Sequence, residues 1–167
     1  MITARHQRDT GRIGFLTLAA VTAIVVAGVA SARPPASAAA TTGYAALDAP
    51  ARLLDTRAGE PTIDGLFSGQ GLRAAGATLE LPVGGRANVP LDATSVVLNV
   101  TAVDAASAGF VTVFDCGTQP PTSNLNFVAG QTVSNAVIAR VSASGTVCFA
   151  SSAPVDLVAD INGWFAG

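Results

Sequence analysis

The chain is 167 residues long, half of them hydrophobic and only 12% charged, with eleven acids against nine arginines and no lysine. A net charge of −2 excludes a basic surface of the kind that holds phosphate backbones, so no nucleic-acid partner is expected. One histidine, His6, and two cysteines, Cys116 and Cys148, leave little material for nucleophilic or zinc chemistry.

Three consecutive segments at the start predict an export signal. Arg5, Arg8 and Arg12, diluted only by Asp9, make a basic beginning, and an uncharged apolar run follows from Ile13 to Ala30. Then comes SARPPASAAA, with small residues at the spacing that a signal peptidase accepts. The spacing predicts a signal-peptide helix over residues 1–38, cut after Ala36-Ser37-Ala38, just beyond Pro34 and Pro35. Ala30-Ser31-Ala32 and Ala38-Ala39-Ala40 are alternative sites. The competing reading is a retained membrane anchor, since eighteen helical residues reach about 27 Å. The many Ala and Thr residues in the run and the cleavage site beyond it favour removal. The expected location is therefore secreted or cell surface, with the membrane touched only transiently through this segment.

Removal changes the chemistry that remains. His6 and four arginines leave, and from Thr41 onward ten acids face five arginines, a net charge near −5. Two cysteines in an exported protein are most simply a disulfide, Cys116–Cys148. Closing a loop of that length stabilises a fold by roughly 3–4 kcal/mol on the chain-entropy view. About 127 residues remain, enough for a single core.

Helical periodicity is nearly absent from this part, and short apolar runs alternate with Gly, Pro and Asn. Residues 39–48 read as a short leader, and 49–167 as one domain. Strands are predicted at Thr78–Val83, Ser95–Val103, Gly109–Phe114, Asn124–Val128, Thr132–Val141, Thr146–Ala150 and Pro154–Asn162, after a first strand ending near Leu53-Leu54. Val96, Leu98, Val100 and Ala102 share one face of the Ser95–Val103 strand, and Val155, Leu157, Ala159 and Ile161 one face of the last. About eight or nine strands with turns every 8–12 residues or so predict an all-β fold, an antiparallel two-sheet β-sandwich, with a closed β-barrel as the alternative.

Several polar residues are candidates for a ligand site, each with a structural competitor. Asp55 and Arg57 fall on one face of a strand and can hold a sugar hydroxyl between them, or form an ion pair at a corner. Asn99, Asn124, Asn126 and Asn135 can line a polyol site or staple strand ends. Asp156 and Asp160, with Asp104 and Asp115, raise calcium, but no calcium-loop motif is present. As a glycosidase pair Asp156 and Asp160 are too far apart, about 13 Å along a strand. Trp164 can stack on a sugar or plug the end of the sandwich. In each case the structural reading is favoured. No catalytic residue, metal ligand or cofactor is expected.

Four motifs occur in order: Pro50-Ala51-Arg52-Leu53-Leu54-Asp55-Thr56-Arg57; Ala93 to Thr101 (ATSVVLNVT); Ser123-Asn124-Leu125-Asn126 with Gly130 and Asn135; and Asp160-Ile161-Asn162-Gly163-Trp164-Phe165. Together they resemble a domain common in secreted and surface proteins of actinobacteria, often repeated or attached to extracellular hydrolases. The resemblance spans residues 50–167. It implies an accessory or surface-binding module. With the predicted export signal and the absent catalytic groups, the expected function is a non-catalytic module that binds a polysaccharide or a cell-surface protein. A structural protein that pairs with its own copies is the alternative, and a hydrolase working through carboxylates is the remote one.

Overall fold

A computed structural model describes residues 43–167. The predicted export segment, its expected cleavage site and the predicted leader up to residue 42 lie outside the described residues. Eight strands make up the fold: β1 (Tyr44–Asp55), β2 (Thr78–Pro82), β3 (Ser95–Val103), β4 (Gly109–Phe114), β5 (Leu125–Phe127), β6 (Val133–Arg140), β7 (Thr146–Ser151) and β8 (Asp156–Phe165). They form two four-stranded sheets, ordered β1-β8-β3-β6 and β2-β7-β4-β5, and every strand pairing is antiparallel. The sheets are open at both sides, so the arrangement is a sandwich and not a closed barrel. Among the described residues no helix is long and apolar enough to cross a membrane.

The core follows from the period of two. Val96, Leu98, Val100 and Ala102 of β3 are fully buried, as are Ala159 and Ile161 of β8, with Leu157 nearly so. Leu79 and Leu81 of β2, Val111 of β4 and Val147 and Phe149 of β7 meet them from the second sheet. Each sheet thus buries one apolar face on the other, the main favourable contribution to folding.

Two departures from simple alternation shape the molecule. In β8 the register against β3 slips between Gly163 and Ile161, leaving Asn162 as a bulge. That extra residue reverses the phase, so Trp164, opposite Val96, packs against the core. Ordinary alternation after Ile161 would have turned it to solvent. The bulge also lets β8 continue to Phe165, three residues past its expected end at Asn162.

The second departure corrects the expected leader. Tyr44 to Asp48 are strand, paired in the register Tyr44↔Phe165, Ala45↔Trp164 and Ala46↔Gly163. The domain therefore includes residues assigned to a loose leader. Their partners lie in the part of β8 beyond the bulge, which explains why this pairing escapes a local reading.

Candidate functional site

The polar residues singled out in the sequence divide into framework and surface. Asp55 is completely buried. Its carboxylate accepts from Arg57 Nε (3.0 Å), Arg57 Nη2 (2.7 Å), the Arg57 amide (3.2 Å) and Arg52 Nη1 (3.0 Å). Burial pushes this carboxyl up, but the hydrogen bonds from Arg57 and the charges of Arg57 and Arg52 outweigh it and hold it below the usual range. Asp160 lies opposite Arg52 across the β1–β8 ladder and accepts from its Nε at 2.9 Å. Next to this group Thr56 Oγ1 donates to Asp156 and accepts from the Leu157 amide. The Asp55 backbone is bonded to Phe67 and Gly69. Asp55 and Arg57 therefore fasten the loop after β1 to the end of the first sheet, and Asp160 is engaged by Arg52.

A residue that the sequence reading did not single out makes the other fastening. Arg86 is 8% exposed, and its fork donates to both oxygens of Asp64, at 2.7 and 2.8 Å. It also donates to the carbonyls of Leu53 (2.9 Å) and Pro82 (3.1 Å), and its guanidinium sits 5.4 Å from the centre of the Phe67 ring. These hydrogen bonds from the Arg86 side chain pull the Asp64 carboxyl down to about 2.

The asparagines serve a different segment, the loop between β4 and β5. Asn124 Oδ1 accepts the Val113 amide at 2.8 Å, and the Asn124 amide bonds the Val111 carbonyl. Asn135, on β6 of the other sheet, donates Nδ2 to the Asn124 carbonyl at 2.6 Å, linking the two sheets. Thr112 Oγ1 donates to the Thr122 carbonyl. Cys116 and Cys148 are joined, their Cα atoms 4.9 Å apart, and with Phe114 and Ala150 they form a small apolar cluster separate from the main core. The loop is thus held by a disulfide, a hydroxyl and two amides. Asn124 and Asn135 act as its positioning residues.

What the loop carries is the candidate site. Phe110, 39% exposed, faces outward from β4 and forms a wall of a shallow cleft of about 360 Å³. Gln119, Pro120, Pro121, Thr122 and Ser123 complete the lining. Asn126 is opposite Phe110 in the β4–β5 register, and it is exposed. Aromatic and proline faces here stand beside amide and hydroxyl groups, with no ionisable side chain among the lining residues. Such a surface can accept the C–H face of a ring and hydrogen-bond its hydroxyls.

Of the candidate residues named from the sequence, Asn126 is the one whose exposed side chain belongs beside this cleft. Asp55, Arg57, Asn124, Asn135, Asp160 and Trp164 are not brought together around a common cavity. Phe110, Gln119 and the two prolines carried no motif, and only the double proline hinted at a rigid loop. Among the described residues no group of acids, cysteines or histidine is clustered to hold a metal ion. Compared with models of protein families and with curated proteins, the chain matches none.

Proposed function

We infer that this chain is an exported, non-catalytic accessory module of the actinobacterial surface-domain type, binding cell-envelope or environmental carbohydrate through the Phe110 cleft. The observation that carries the reading is the pairing of an exposed aromatic with neutral hydrogen-bonding groups on a loop fastened at four points. A site already rigid loses little conformational entropy on binding, which offsets the weak stacking of one phenyl ring. The disulfide supports an oxidising destination, in keeping with the basic-apolar-small pattern at the start of the sequence.

The test is retention on peptidoglycan and on insoluble polysaccharides. Phe110→Ala should weaken retention about tenfold or more, equivalent to about 1.4 kcal/mol, while the melting temperature stays near that of the parent protein. Asn126→Ala should weaken it less. Failure of the parent protein to bind any of these materials rules out the carbohydrate reading.

A further inference from the structure

A sheet edge with unpaired backbone groups attracts another strand, and proteins usually protect such edges. Three of the four edges here are protected. β1 is interrupted by register shifts at Ala46/Ala51 and Arg52/Leu54, and the loop after it bonds back to it through Ile63 N–H and Ser68. β2 is five residues long and ends in Pro82, and β5 has three residues. The fourth edge, β6, is neither shortened nor shifted, and its outer backbone groups bond no loop, although Asp115, Thr118 and Pro120 line a surface cleft with Ile138 and Arg140 at its far end. It pairs with β3 over eight consecutive positions without a shift, from Ala102↔Val133 to Ser95↔Arg140. It contains no proline or acid, and its single charge is Arg140 at the end.

The direction of its free groups follows from the ladder. Val141 donates its amide to the Thr94 carbonyl, in phase with the β3–β6 register. Antiparallel pairs alternate between bonded and unbonded, so Val133, Asn135, Val137 and Ala139 turn their backbone groups to β3. Ser134, Ala136, Ile138 and Arg140 turn theirs away. Among the described residues no backbone or side-chain partner meets those amides and carbonyls. The side chains of these four residues are also exposed, Ile138 to 68%.

We propose that β6 is a self-pairing edge, joining two copies of this chain antiparallel about a two-fold axis at Val137. That axis sets Ser134 opposite the partner copy's Arg140, and Ala136 opposite its Ile138. Every free amide and carbonyl of the four residues then finds a partner. The occupant must be extended, unpaired on one side and of matching length, and β6 itself meets all three conditions. The charges agree, since each Arg140 faces a neutral serine and is kept from its own counterpart. The product is one continuous eight-stranded sheet, β1-β8-β3-β6 followed by its two-fold mate. An isologous contact of this kind closes at the dimer.

The experiment is sedimentation equilibrium of the protein as its host processes it, from about 1 µM to about 1 mM, with amide exchange at both ends of the range. The expected result is a concentration-dependent dimer in which Ser134, Ala136, Ile138 and Arg140 amides gain protection. Ala136→Pro removes only an outward-facing amide, a position where an edge strand tolerates proline. It should give a monomer with little change in melting temperature. Ile138→Lys is the second variant, and it should weaken dimerisation at least tenfold without touching the backbone. A parent protein that stays monomeric throughout overturns the proposal, as does dimerisation that survives both substitutions. Protection of the four amides by an extended segment of another protein, with no dimer, overturns the choice of occupant. Pro120 is shared by the Phe110 cleft and the surface beside Ile138 and Arg140, so the two readings are separated by variant: Phe110→Ala should leave dimerisation unchanged, and Ala136→Pro should leave polysaccharide retention unchanged.

Discussion

At the scale of single residues, Arg86 shows what a linear reading misses. It follows a Gly-Gly pair and precedes two residues at positive φ, Ala87 and Asn88, so locally it reads as a surface turn. Its partners Asp64 and the Leu53 carbonyl are 22 and 33 positions away, and nothing in the intervening sequence announces them. Asp55 was legible as one member of an ion pair because Arg57 is two residues on. Its complete burial was not, since that depends on the loop folding back over it. Replacing Arg86 by Ala leaves the Asp64 carboxylate and two carbonyls without their donor. We expect a loss of about 2–4 kcal/mol, most of it from the carbonyls left unpaired, measurable by urea unfolding. Arg86→Lys should recover only part, because an ammonium cannot span both carboxylate oxygens. The same pair gives a pH dependence. Asp64 titrates near 3.8 when unfolded and at about 2 when folded, so the unfolded chain takes up protons first as pH falls. Its stabilisation is whole above about pH 5 and is lost as pH falls toward 2, with Asp55 acting in the same direction. Partial exposure of Asp64 limits its contribution to about 1 kcal/mol. Asp64→Asn should lower the melting temperature at neutral pH and flatten its decline below pH 4. An unchanged acid limb in that variant removes Asp64 from the account.

At the scale of elements, alternation carried most of the information. The limits of β3 and β4 agree with those read from the sequence; β2 and β7 differ by one residue at one end, and β5 and β6 by one residue at each end. The disulfide was legible from the cysteine count together with the expectation of export. The failures are both at places where alternation breaks. The Asn162 bulge turns Trp164 inward and lengthens β8, and the added length is what pairs with Tyr44 to Ala46. Gly163 is the hinge of this arrangement. A Cβ there would stand 2.5 Å from the Ala45 carbonyl oxygen and 2.5 Å from the Tyr44 ring. That ring lies 5.4 Å from Phe165, centre to centre, so the two aromatics and the glycine close the seam together. Gly163→Ala must shift backbone as well as ring, and we expect a cost of about 1–3 kcal/mol. Amide exchange should quicken first at Tyr44 to Ala46, while the β2–β7 ladder remains protected. Uniform quickening across both sheets would show that the seam does not open separately.

At the scale of the whole molecule, the arrangement brings sequence-distant strands together. β1 and β8 pair across more than a hundred residues, and Ala166 donates its amide to the Gly43 carbonyl at 3.4 Å. Such pairing is slow to form, because a long loop must close before any contact rewards it. The equilibrium cost of that loop grows only with the logarithm of its length. Topology should therefore govern folding rate much more than stability. A circular permutant separates the two. A short glycine-serine linker from Gly167 to Gly43 makes β8 and β1 a local hairpin. New ends between Ala143 and Ser144 fall in an exposed turn, next to the positive-φ Gly145. The four residues of the β6 edge and the Phe110 cleft are untouched by either change. We expect the permutant to melt within a few degrees of the parent and to refold faster in stopped-flow experiments, with most of the gain in the folding limb. Slower refolding would place the rate-limiting step at the β6–β7 connection that the permutation cuts. An equal rate would place it in the pairing of β3 with β6 and β8, the centre of the first sheet. The comparison thus identifies which long-range contact organises the sandwich.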